Sequence, residues 1–157
     1  MLIPNLRVDY KGSAHASSSW GQHPAENAFK PQNAGSWPWA NHRDNNFPHF
    51  VWFQFESPIV LAKIGFSSRA GQNQNQMVKK FDVIGATASG CSDIQDSPRI
   101  LLGVEDAGFE RSSQAKVWLI PEKNQAPYLC IGIKIHSGSV LSTVVSVQNM
   151  VMWERRF

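Results

Sequence analysis

Residues Asn46 to Arg69 read NFPHFVWFQFESPIVLAKIGFSSR and carry six aromatic rings in a chain of otherwise ordinary charge balance. A strand sends successive side chains to opposite faces, so one buried face shows as a period of two. Here Val51, Phe53 and Phe55 fall on one side, with Gln54 and Glu56 on the other. After Pro58 the pattern resumes as Val60, Ala62, Ile64 and Phe66, with Lys63 and Ser67 turned away. Proline cannot donate to a central ladder, so the stretch predicts two adjacent strands separated by a turn or bulge. Phe47, Phe50 and Trp52 lie before the first strand or on its more polar side. Core or inter-sheet packing is the expectation for them, since large aromatics supply much of a normal core.

Outward from this stretch, the same alternation predicts further strands. Phe81, Val83 and Gly85 follow a polar connection, and Leu129, Ile131, Ile133 and Ile135 form the clearest alternating face in the chain. Shorter strands are expected at Leu101 to Val104, at KVWLI before Pro121, and from Val144 through Trp153. Ala88 to Pro98, with its glycine, serines and aspartates, reads as an irregular loop. No long amphipathic helix is visible; PAENAF, Pro24 to Phe29, predicts one helical turn opened by proline. Many short strands joined by Gly-, Pro- and Ser-bearing loops predict an all-β antiparallel sandwich or barrel.

A chain of 157 residues without an internal repeat predicts a single domain over residues 1–157. Fifteen Lys plus Arg against twelve Asp plus Glu leave a net +3, too little to predict a nucleic-acid partner. No run is long and apolar enough to predict a transmembrane segment. With no leader visible and only Cys91 and Cys130 present, the sequence leans toward a cytoplasmic location, or an extracellular one if a leader was removed. For Cys130, inside an apolar strand, a buried free thiol is expected, although one disulfide is also possible.

In serial order these segments resemble the discoidin family, also called coagulation factor 5/8 C-type domains, among the galactose-binding-like jelly rolls. SSSWGQHPAENAF at Ser17 to Phe29 resembles the family's opening segment, and Trp37 or Trp39 its early tryptophan. VWFQFESPIVLAKIGFSSR resembles its paired strands, and KKFDVIGA, YLCIGIKI and VSVQNMVMW resemble later ones. The resemblance implies a jelly-roll sandwich that binds ligands through loops at one end, near residues 36–49, 71–76 and 88–98. It also marks departures. Neither chain end has a cysteine, whereas extracellular members commonly join theirs by a disulfide. Lys30 stands where calcium-binding relatives carry an acidic residue, so no metal or other cofactor is expected.

Trp37, Trp39, His42 and Arg43 lie within a few residues of one another, and the resemblance brings Arg69 toward them. Rings can stack on a sugar face while imidazole, amide and guanidinium groups bond to hydroxyls. These five are the candidate ligand-binding residues, for a carbohydrate or for a protein surface, where Trp and Arg are favoured anchors. One or both tryptophans could instead plug the end of the barrel. Catalysis finds no support: the five histidines form no zinc spacing, no GxSxG turn exists, and His42 with Asp44 lacks a nucleophile. The expectation is a non-catalytic binding module, carbohydrate-binding in the manner of a lectin. An intracellular assembly subunit is the alternative, and the oligomeric state stays open.

Overall fold

The computed structural model describes residues 6–30, 37–43, 46–69, 76–138 and 144–155. Nine antiparallel strands are present among them: β1 (Leu6–Arg7), β2 (Gly12–Ala16), β3 (Trp39–Ala40), β4 (His49–Ser67), β5 (Val78–Ala86), β6 (Arg99–Val104), β7 (Ala115–Leu119), β8 (Pro127–Gly138) and β9 (Ser146–Glu154). One sheet runs β2-β4-β8-β5-β6, and the other places β4 between β9 and β7, with β1 and β3 on the far side of β9. The result is the antiparallel jelly-roll sandwich that the alternation and the family resemblance predict.

β4 belongs to both sheets. Residues 49–54 pair with β2 and β8, and residues 61–67 pair with β9 and β7. The stretch predicted as two neighbouring strands is therefore one strand whose halves lie in different layers. Pro58 sits in the register break between Gln54 and Ile59, where no ladder bond is asked of it. Across that break the buried phase of Val51, Phe53 and Phe55 is kept, so Ile59 and Leu61 enter the core in place of Val60; a second break, between Leu61 and Lys63, then shifts it by one residue to Ile64 and Phe66.

Between the layers, Val51, Phe53, Phe55, Phe81, Val83, Ile131, Ile133 and Ile135 of the first sheet meet Ile64, Phe66, Val147, Met150 and Met152 of the second. Phe53 is the hub of a ring cluster, with centroids 5.1 Å from Tyr10, 5.3 Å from Phe29 and 4.9 Å from Phe55. The Tyr10 hydroxyl donates to the Met150 carbonyl, so the ring's polar end is satisfied across the sandwich, and burial pushes the phenol pKa up. Leu129 departs from expectation. Opposite the register break of β4 between Gln54 and Ile59, it lies half-buried against a second cluster while Tyr128 packs in the main core.

That second cluster covers the outer face of the first sheet. Phe50, Trp52, Ile84 and Ala86 lie beneath a 3-10 turn at Ala88–Asp93 and the following Ile94. Cys130, expected as a free thiol, is instead bonded to Cys91 of that turn, which fastens the covering segment to β8. Gly132 lies opposite Trp52; a Cβ there would stand 2.2 Å from the Val51 carbonyl oxygen and 2.5 Å from Trp52 Cβ, so only glycine admits this close crossing. No helix among the described residues is long and apolar enough to cross a membrane.

Candidate functional site

The strands that matter for the site are those that end together. β9 begins at Ser146 beside the end of β4 and the start of β5, and Ser146 Oγ donates to Gln76 Oε1 at 2.7 Å. β3 pairs with the same end of β9. The segment after β2 turns back onto β3: Trp20 N–H donates to the Ala40 carbonyl at 2.9 Å, and His23 N–H closes the turn on the Trp20 carbonyl at 2.9 Å. Gly21 occupies this turn at φ +50°, a conformation glycine adopts without strain. The 3-10 turn at Ala25–Ala28 follows Pro24 as expected, and Ala28 and Phe29 anchor it in the core.

These segments enclose a cleft of about 270 Å³ lined by Trp20, Gly21, Gln22, His23, Trp37, Arg69 and Gln76. Two rings are presented there, Trp37 at 50% exposure and Trp20 at 37%. The Arg69 guanidinium lies 5.7 Å from the Trp37 ring centroid, and Arg43 lies 5.8 Å from that of Trp20. Arg69 Nη1 donates to Gln76 Oε1 at 2.7 Å, which together with the Ser146 bond fixes the amide with its oxygen inward and its NH2 as a donor. His23 stands edge-on to Trp37 at 4.9 Å and bonds through Nδ1 to the Pro38 carbonyl at 2.9 Å. Burial lowers the His23 pKa, the Pro38 bond opposes this, and the Arg69 charge adds to the lowering. A neutral imidazole donating from Nδ1 keeps Nε2 as an acceptor.

Of the five residues chosen from sequence, the structure brings Trp37 and Arg69 into one cleft and sets Arg43 beside it on Trp20. Trp39 is 0% exposed, with Nε1 donating to the Ser18 carbonyl at 3.0 Å; it plugs the sandwich and offers no face to a ligand. His42 is half-buried outside the cleft lining, and its backbone N–H bonds to Ser18 Oγ at 3.0 Å. Trp20 and His23 were missed, while Gln76 closes the segment 71–76 expected near the binding end without having been singled out. A tryptophan directly before glycine in a polar turn has no core to fill, and that signal was readable at Trp20-Gly21. Residues 88–94, expected near the binding end, instead roof the second cluster. Residues 31–36, Asp44 and Asn45, and 71–75 lie outside the described residues.

A larger cleft of about 400 Å³ lies at the opposite end, among Arg7, Asp9, Lys11, Glu56 and Glu154, and a third of about 350 Å³ lies beside Tyr128. Their aromatic members, Phe55 and Tyr128, are buried, so neither cleft has a ring to stack on. Among the described residues no three His, Cys, Asp or Glu side chains gather as a metal site.

No protein-family model and no curated protein sequence matches the chain. Solved structures do match it. A family 32 carbohydrate-binding module from C. perfringens NanJ, solved with galactose, is 16% identical with a TM-score of 0.68 over 90% of this chain and 93% of that one. CpGH89CBM32-5 from Clostridium perfringens, solved with GalNAc-β-1,3-galactose, is 12% identical with a TM-score of 0.69 over 89% and 93%. An F5/8 type C domain from Bacteroides fragilis is 10% identical with a TM-score of 0.72 over 98% of both chains. The lean toward a cytoplasmic location does not stand. Likeness to carbohydrate-binding modules argues against it, and the Cys91–Cys130 bond is of a kind that persists in oxidising compartments. The chain has the galactose-binding-like fold of the F5/8 type C domains and family 32 carbohydrate-binding modules.

Proposed function

We propose that the protein is a non-catalytic carbohydrate-binding module whose ligand lies in the cleft between Trp20, Trp37 and Arg69. What carries this reading is the half-exposed Trp37 ring standing beside a guanidinium and an oriented amide. An aromatic face accepts the C–H side of a sugar ring, while Arg69 and the Gln76 NH2 donate to its hydroxyls and His23 Nε2 accepts. The cleft is at the small end of ligand sites, so it matches one sugar unit with the remainder of a chain left in water. Further support comes from neighbours of the same fold solved with galactose, with GalNAc-β-1,3-galactose and with 4,5-unsaturated mannuronic acid.

The test is a glycan array followed by calorimetry on the wild type, Trp37→Ala and Trp39→Ala. Trp37→Ala is expected to weaken binding at least about tenfold, the scale of an anchoring aromatic, with its unfolding temperature unchanged. Trp39→Ala is expected to lose stability first, because it removes a fully buried ring. Absence of any glycan binding, or full affinity in a folded Trp37→Ala protein, overturns the reading. The first outcome returns weight to a protein contact.

A further inference from the structure

Arg69 is a half-buried cation whose side-chain partner is neutral. Nη1 donates to an amide oxygen, Gln76 Oε1, which also accepts from Ser146 Oγ. Burial lowers the Arg69 pKa, and no carboxylate among the described residues acts against that lowering. A guanidinium withdrawn from water without a counter-charge is at a cost that an incoming anion would relieve. The charge is felt across the cleft, where it helps to hold His23 neutral. Arg43 adds a second guanidinium against the Trp20 face. None of the described residues lining the cleft is acidic.

We propose that the preferred ligand of this cleft is an anionic saccharide, its carboxylate or sulfate group received by Arg69 while its ring lies on Trp37. This rests on the reading of the cleft as a sugar site. With Nη1 turned to Gln76, the Nε and Nη2 edge of the guanidinium has no protein partner among the described residues. That edge presents two parallel N–H groups, the geometry that matches two oxygens of one anion. The Gln76 NH2 supplies a third donor nearby. A neutral sugar could stack on the same ring but would leave Arg69 without its counter-charge.

The experiment measures wild-type protein by calorimetry against oligogalacturonate, oligomannuronate and a sulfated galactan oligosaccharide. Each is paired with its carboxyl-reduced or desulfated counterpart, at low and at high salt. At least one acidic member is expected to bind about ten- to hundredfold tighter than its neutral partner, the scale of hydrogen bonds to a charged group. High salt should narrow that ratio, and so should Arg69→Gln, whereas Arg69→Lys should retain part of it. If Arg69→Gln fails to fold, the wild-type ratio and its salt dependence still decide. Equal binding of acidic and neutral members, lost in Trp37→Ala, overturns the anionic preference and leaves the sugar site standing. No binding of either kind overturns both.

Discussion

His23 shows how one side chain can report on its surroundings. Its folded pKa is depressed by burial, with the Arg69 charge adding to the effect, so between the two pKa values the unfolded chain takes up a proton that the folded protein refuses. Stability from neutral His23 is therefore fully present above the unfolded value, about 6.5, and is lost as pH falls through the lower folded one. Thermal unfolding from neutral pH into the acid range should fall more steeply for the wild type than for His23→Gln. Parallel curves would show that the imidazole feels no such field. Trp37 and Trp39 teach a different lesson about single residues. They have the same identity and lie two positions apart, yet one is half-exposed and the other sealed. Nothing in the residue types separates them. What does so is the pairing of Trp39 with Val147 of a strand far along the chain.

At the scale of elements, the disulfide is a fastening between a short 3-10 turn and a core strand, closing a separation of 39 residues. Removing it with paired Cys91→Ser and Cys130→Ser changes should cost about 2–4 kcal/mol in chemical denaturation, because the unfolded chain regains loop freedom. It should also uncover Phe50 and Trp52, raising the binding of an apolar dye. Unchanged stability together with unchanged dye binding would mean the roof holds by packing alone. Alternation revealed most strands because Phe53, Phe81 and Ile133 each follow a strict period of two against a single core. It failed where the ladder slips. The break near Leu61 moves the inward phase by one residue, the break near Pro58 keeps it where alternation expects a change, and opposite that break Tyr128 takes the core side in place of Leu129; the hydrophobic types on both sides of each are alike. The cleft was legible only in part for a related reason. Its described members come from separate parts of the chain, 20–23, 37, 69 and 76, brought together by strand ends rather than by spacing in the chain.

For the whole molecule, the shared strand decides how it comes apart. Because β4 supplies a central position in both layers, neither sheet can lose it without exposing the common core. Phe53→Ala on one layer and Ile64→Ala on the other should each lower the midpoint of one and the same transition. The losses should be roughly 3–5 kcal/mol for Phe53→Ala and about 2–5 kcal/mol for Ile64→Ala. Far-ultraviolet and aromatic signals recorded together check this, and a separate transition for either layer would refute it.

β1 lies along the last residues of β9, with Leu6 opposite Glu154. β9 starts at the cleft and runs away from it for nine residues, roughly 26 Å of extended chain. Both ends of the described polypeptide therefore emerge side by side at the pole remote from Trp37. A tether, a neighbouring domain or a solid support attached at either end would hold the molecule by its base, with the Trp37 cleft turned outward and unshadowed.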